Sequence, residues 1–389
     1  MNPEKPHLAE RMADIEPFHV MDLLARARQL EAEGRSIVHM EIGEPDFITP
    51  EPIVRAGQRA LAEGKTQYTP AVGIEPLRAA IAQHYQTDYG VAVDPKHIIV
   101  TPGASGALQL VCGVLINPGE QLLMADPGYP CNRHFVRLVE GRATAVPVDA
   151  KTAYQLTAKL VSEHWRDSTV AALLASPSNP TGTVVPTAEM QAISQAVEAR
   201  KGQLVVDEIY HGLVYEGDTT TVLGVTNHAF VVNSFSKYYG MTGWRIGWLV
   251  APSDYVREIE KLAQNVFISA AAPAQYAALA AFTPEAREIM EQRKTAFRQR
   301  RDFLLPALRE LGFAVPATPQ GAFYIYADCS AFTDDSYRFA VKLLEDAGVA
   351  ITPGVDFGHH RPERHVRFAY TTSLRQLEEG VERLRRYLQ

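Results

Sequence analysis

Between residues 90 and 260, short apolar runs alternate with longer segments whose apolar positions recur every three or four residues. IIVT (98–101), QLLMAD (121–126), VAALLAS (170–176), QLVVDE (203–208), AFVVNS (229–234) and RIGWLVA (245–251) are almost continuously apolar. Such runs predict strands of a sheet covered on both faces, since a half-wet antiparallel strand would alternate. GALQLVCGVL (106–115) and TAEMQAISQAVEARKG (187–202) predict helices between them, the second with Thr187 as N-cap and Gly202 as stop. Strand–helix alternation of this kind points to an α/β domain with a mostly parallel sheet.

The pattern changes near residue 283. Residues 283–312 predict a long, charged amphipathic helix, broken at Pro306, where the ring removes an N–H donor. FYIYADC (323–329) and HVRFAYT (365–371) predict antiparallel strands, with covering helices over 336–348 and 373–388. Three regions follow: an N-terminal segment (1–45), a large domain (46–282) and a smaller α+β domain (283–389). The amphipathic VMDLLARARQLEAEG of the first region should pack on the small domain or on a second subunit. No internal repeat or low-complexity tail interrupts this layout.

Composition narrows the class. The 389 residues are 46% hydrophobic and 21% charged, as in ordinary soluble enzymes. A net charge of −7 with no basic stripe argues against nucleic acid. The N-terminal MNPEKPHLAER lacks the apolar core of a secretory signal. The most apolar stretch, 268–282, is interrupted by Pro273, Gln275 and Tyr276, so no membrane span is expected. Cys112, Cys131 and Cys329 are odd in number and far apart, which excludes a disulfide framework and makes the cytoplasm the expected compartment.

Four predicted strands end in residues with chemical potential, and ligands of open α/β sheets sit at carboxyl strand ends. IIVT runs into PGASGAL, where the Ala104 and Ser105 amides at a helix start could grip an anion. QLLMAD runs into PGYP and presents Tyr129. VAALLAS runs into PSNPTG with Asn179 between prolines. QLVV ends on Asp207 and Glu208, a carboxylate pair after a wholly apolar strand, with Asp207 expected to be the more inward. A buried carboxylate needs a cationic partner or it takes up a proton. AFVVN then delivers Ser234 and Lys237 to the same rim. Each motif alone reads as an ordinary turn, but five polar groups at one end of consecutive strands read as a site.

PGASGAL, DPGYP, SPSNPTG, VVDEIY, SFSKYYGMTGWRIGW and RFAY together closely resemble the class I/II pyridoxal-phosphate aminotransferases of fold type I, the aspartate aminotransferase superfamily. The resemblance runs from EIGEPDF (41–47) into the C-terminal region, with the motifs in family order. It implies a large domain built on a mostly parallel seven-stranded sheet, plus a smaller α+β domain. It also implies that Lys237 holds the aldehyde of pyridoxal 5′-phosphate as a Schiff base and later shuttles the proton. Asp207 would pair with the ring nitrogen, Asn179 and Tyr210 would bond the ring's phenolic oxygen, and Tyr129 would stack on the ring. Arg245 would hold the phosphate, together with Gly103, Ala104, Ser105, Ser234 and Ser236. A rigid guanidinium fork suits that anion.

Arg367 in HVRFAY and Gly43 in EIGEPDF match the family's contacts to the substrate carboxylate, with Asn179 beside them. Tyr68 matches a tyrosine that reaches the neighbouring subunit's phosphate, which implies a homodimer with shared active sites. Ser269 is a further candidate for such a cross-subunit contact. The resemblance implies ping-pong transfer of an amino group from an L-amino acid to a 2-oxo acid. The alternative on the same pocket is a C–S β-lyase. A cofactor-sensing transcription regulator would need a basic DNA-binding region, which this chain lacks.

The ending Met-Thr-Gly-Trp-Arg differs from the Tyr-Asn-Glu-Arg of the family's aspartate and aromatic branch, so substrate stays open. ALQLVCGVLI offers no cation for a distal carboxylate, which leaves Arg133 or a residue near Phe18 as candidate substrate contacts. HHRPERH (359–365) has no helix-face ligand spacing, and no metal is expected. His211, the RQRR run (298–301), Trp244 and Trp248 read as packing or solvated-face residues.

Overall fold

The computed structural model describes residues 6–217 and 219–389, so the first five residues of the expected N-terminal segment lie outside it. Among the described residues, eleven strands form two sheets. β1 (Val38–Met40) precedes β2 (Ile98–Thr101), β3 (Gln121–Asp126), β4 (Arg142–Pro147), β5 (Thr169–Ala175), β6 (Gln203–Asp207), β7 (Ala229–Ser234) and β8 (Gly247–Val250). β9 (Tyr324–Asp328), β10 (Val349–Pro353) and β11 (His365–Ala369) follow.

The large sheet has seven strands in the order β2-β8-β7-β6-β5-β3-β4, and β8 alone runs against its neighbours. β2 therefore points the same way as β7, and all six remaining strands share one carboxyl rim. The apolar runs have the burial expected of a doubly covered sheet. Successive side chains point to opposite faces. Leu204, Val206 and Val231 accordingly join one core, while Val205, Phe230 and Val232 join the core on the other side.

The smaller sheet has the order β1-β10-β11-β9, with β1 parallel to β10 and the other pairs antiparallel. β9 and β11 pair as the two C-terminal runs predicted, with Arg367 opposite Tyr326. The helix His19–Ala32 places Leu23, Ala27 and Leu30 in the same core as this sheet.

Three local expectations are corrected. The helix Pro284–Glu310 runs through Pro306 without a break. Its N-terminal half packs Ala286 and Met290 into the large core, and its C-terminal half packs Phe297, Leu304 and Leu308 into the small one. Burial on both sides of the proline outweighs one lost hydrogen bond. The helix Thr187–Glu198 is preceded by Pro186 as N-cap, so Thr187 is its first helical residue. It stops because Lys201 turns left-handed (φ 55°) and the Gly202 amide returns to the Val197 carbonyl at 3.1 Å.

Candidate active site

The shared rim opens into a cavity of about 250 Å³ between the large sheet, the small sheet and the start of the helix His19–Ala32. Lys237 reaches it because the residues before it form a self-bonded turn. The Ser236 amide donates to Ser234 Oγ at 3.0 Å, and the two hydroxyls lie 2.9 Å apart. The Lys237 ammonium donates to the Gly43 carbonyl at 2.8 Å. Burial pulls the amine down to about 8, helped by Arg367 and Arg245, while Glu44 and Asp207 oppose the fall.

Asp207 ends β6, paired in register with Ala175 and Val232. One of its oxygens accepts the Ile209 amide at 3.0 Å. Burial pushes its carboxyl up to about 7 despite that bond and despite Lys237. Among the described residues no cation forms an ion pair with it. Glu208, not Asp207, is the more enclosed of the two, at 1% against 6% exposed. The strand's alternation turns Glu208 away from the cavity, where it takes the Thr221 hydroxyl and the Val222 amide, each at 2.8 Å.

A second polar pole lies at the helix Gly103–Leu115, whose first amides have no intrahelical acceptor. Arg245 stands beside it in a left-handed conformation (φ 51°), with Nη1 on the Thr242 carbonyl at 3.0 Å and 3.4 Å from Ser236 Oγ. A Cβ on Gly103 would lie 2.6 Å from Arg245 Nη2, and one on Gly247 would lie 2.8 Å from the Gly103 carbonyl carbon. Glycine at both positions lets guanidinium, helix start and β8 converge. Contrary to the interior site its neighbours suggest, Arg245 is exposed in the single chain.

The third pole is Arg367, only 3% exposed. Nη1 donates to Asn179 Oδ1 at 2.9 Å and Nη2 to the Glu41 carbonyl at 2.6 Å, while Nε has no partner. Its guanidinium lies 4.2 Å from the Tyr324 ring centroid. Among the described residues it makes no ion pair. Buried cations of this kind are costly without an anion, and the Phe357 ring also lies 4.9 Å from this one.

Of the residues expected at the site, Gly43, Ala104, Ser105, Tyr129, Asn179, Asp207, Tyr210, Ser236, Lys237, Arg245 and Arg367 line the cavity together. Gly103 underlies it. Ser234 does not line it, because its hydroxyl is turned inward to Ser236 and the Ile246 carbonyl. Tyr68 stands on the surface, 83% exposed, and Ser269 is half-buried elsewhere. Sequence reasoning missed Tyr324. Its hydroxyl pairs with that of Tyr210 at 2.9 Å and fills the space that a Cβ on Gly43 would occupy. The signal was available in FYIY, where alternation puts Tyr324 and Tyr326 on one face. Val20, Met21, Ile42, Leu108 and Thr242 were also missed as lining residues. Elsewhere, the His365 ring stacks on Tyr326 at 4.7 Å and Trp248 is fully buried, whereas Trp244 is partly exposed.

A mostly parallel sheet with one antiparallel strand, a lysine at its carboxyl rim and a buried carboxylate nearby defines a fold type I transferase. The family profile "Aminotransferase class I and II" matches residues 35–384, and the chain belongs to that family, as a transaminase. It is 39% identical over 379 residues to a valine–pyruvate aminotransferase of Mycobacterium tuberculosis, covering 97% of each chain. It is 37% identical to a (5-formylfuran-3-yl)methyl phosphate transaminase of Methanocaldococcus jannaschii, covering 98% of this chain and 99% of the other. A crystal structure of an aminotransferase from Mycobacterium tuberculosis superposes with a TM-score of 0.96 at 38% identity over 99% of both chains. Relatives this similar act on unlike substrates, so identity alone does not transfer one.

Proposed function

We propose that the protein is a pyridoxal 5′-phosphate-dependent aminotransferase that moves an amino group from an L-amino acid to a 2-oxo acid by a ping-pong mechanism. The observation that supports this best is that three unmet electrostatic needs line one cavity. Asp207 needs a cation, the helix start beside Arg245 needs an anion, and Arg367 needs a carboxylate. A protonated pyridine, a phosphate and an amino acid's α-carboxylate meet those needs in that order.

When bound, the cofactor supplies an aldehyde that condenses with amines and a ring that accepts the charge left when Cα loses its proton. Lys237, an amine near 8, is uncharged often enough near neutrality to be the residue that would hold the cofactor's aldehyde and would take and return the Cα proton. Asp207 would pair with the ring nitrogen and keep it protonated. Asn179 and Tyr210 fix the ring plane, and Tyr129 forms an aromatic wall. Arg245, Ser236, Ser105 and the Ala104 and Ser105 amides clasp the phosphate, with Gly103 keeping the approach open and Ser234 buttressing Ser236. Arg367, Asn179 and Gly43 orient the substrate carboxylate. The first 2-oxo acid leaves before the second enters the same place.

The protein works as a homodimer in this reading. Tyr68, 83% exposed in the single chain, is free to reach a second subunit. Tyr68 then reaches the partner's phosphate. The division into an N-terminal segment (1–45), a large domain (46–282) and a small domain (283–389) is supported by the separation of the small sheet's core from the two cores that cover the large sheet. The first region completes the third. No described helix is long and apolar enough to cross a membrane, and the cytoplasm remains the proposed compartment.

Mixing purified protein with the cofactor should give a visible absorbance band that an amino donor bleaches and a 2-oxo acid restores. Release of thiol and pyruvate from cystathionine, without amino transfer to any 2-oxo acid, would favour the β-lyase instead.

A further inference from the structure

Among the described residues, four charged side chains line the cavity: Asp207, Lys237, Arg245 and Arg367. In the reading above, on which this inference rests, the cofactor and the substrate's α-carboxylate engage all four. Among the described residues, no charge lining the cavity remains for a second carboxylate. Much of the remaining lining is apolar and includes Phe18, Met21, Ile42 and Leu108, while the Thr242 hydroxyl is engaged by Glu44 and that of Tyr324 by Tyr210. The nearby charges outside the lining do not alter this. Arg133, in an adjoining cavity of about 110 Å³, holds Glu16 at 2.8 Å. Glu44, which accepts the Thr242 hydroxyl at 2.7 Å, adds negative charge close to Lys237.

The apolar wall is also held in place. Asp356 accepts the His19 and Val20 amides, each at 2.9 Å, which fixes the turn carrying Phe18 and Met21. Ion pairs Arg137–Asp14 (2.6 Å) and Arg11–Glu140 (2.9 Å) join Arg133–Glu16 in tying the segment before it to the large domain. A buried carboxylate placed against such a wall would lose its water and gain no partner, whereas a hydrocarbon chain loses nothing.

We propose that Phe18, Met21, Ile42 and Leu108 form the side-chain subsite of this transaminase and select amino donors with uncharged, apolar side chains over dicarboxylic ones. The test uses the cofactor-loaded enzyme with pyruvate as acceptor throughout and L-valine, L-leucine, L-methionine, 2-aminobutyrate, L-aspartate and L-glutamate as donors. The best apolar donor should exceed aspartate and glutamate in kcat/KM by about tenfold or more, the scale of discrimination an apolar pocket provides. Leu108→Ala should lower kcat/KM for leucine about tenfold more than for 2-aminobutyrate. Met21→Lys, at a 51% exposed position where folding is not at stake, should raise the aspartate-to-leucine ratio about tenfold. The visible cofactor band confirms that each variant is assembled. A wild-type preference for aspartate or glutamate means that a cation reaches the mouth from outside this chain, and it overturns the inference. So do variants with a normal band whose donor ratios do not move. Absence of amino transfer from every donor overturns the transaminase reading itself, a separable result.

Discussion

The floor and the mouth of the cavity are built on opposite principles. The floor is charged, and its groups hang from strand ends and a helix start: Asp207 at the end of β6, Arg367 on β11, the helix Gly103–Leu115 after β2. Each is held by one or more hydrogen bonds and left short of a partner. The mouth is apolar, contributed by Phe18 and Met21 before and at the start of a helix from the other end of the chain. The floor can therefore be set for one chemistry while the mouth sets which side chain enters. Charge at the floor is costly to lose, whereas contact at the mouth is graded.

That contrast breaks most sharply at Lys237. Lys237→Ala should abolish the visible band and cut turnover by about 10⁴-fold or more, since covalent attachment and proton transfer are lost together. A stopped-assay rate within tenfold of wild type would remove the lysine from the mechanism. Next comes Arg367→Leu, which should lower kcat/KM for donor and acceptor alike by about 10²–10³-fold, the cost of truncating one side of a buried charged contact. Kinetics in both half-reactions check it, and an effect on one substrate alone would reassign the arginine to side-chain recognition.

Asp207 offers a test through stability. Its carboxyl, raised to about 7 by burial, binds a proton more tightly in the folded than in the unfolded chain. The cofactor-free protein therefore has this contribution in full below about pH 4 and loses it as pH rises through about 7, by about 2–4 kcal/mol. Denaturant midpoints at pH 5 and pH 8 should differ less in Asp207→Asn, and cofactor loading should lessen the wild-type loss. An unchanged pH slope in the variant would show that the carboxylate already has a partner.

The smallest effect belongs to His39, remote from the chemistry. Glu41 holds its imidazole at 2.7 Å, and that hydrogen bond raises it to about 9 against the opposing cost of burial, with Glu31 helping. The protonated ring stabilises the fold below its ordinary value near 6.5, and this is lost as pH rises through about 9. His39→Gln should cost on the order of 1 kcal/mol at pH 6.5 and less at pH 9.5, seen in thermal unfolding. Because the Glu41 carbonyl receives Arg367, a fall in substrate affinity along with stability would join His39 to the floor.

The floor was legible in the sequence because strand ends carry their chemistry in contiguous motifs. Asp207, Asn179 and Lys237 each follow an apolar run, and a carboxylate or lysine there needs a reason. The mouth was not legible in the same way. Phe18 was marked only as a neighbourhood, and Met21, Ile42 and Leu108 look like any helix or strand residue until the chain folds. Alternation in FYIY marked the face Tyr324 lies on, but not its fit against Gly43, which depends on a missing Cβ far away in sequence.

Periodicity and strand-end chemistry were enough to determine a doubly covered sheet, its order of strand and helix, and a cluster of polar groups at one rim. Those follow from local rules of burial that each segment obeys by itself. Only the tertiary structure decided that the Ser234 hydroxyl turns inward, that the helix at 284–310 survives its proline, and that Phe18, Val20 and Met21 line the cavity. These outcomes depend on which distant side chain occupies the neighbouring space, and contacts between remote segments have no period along the chain.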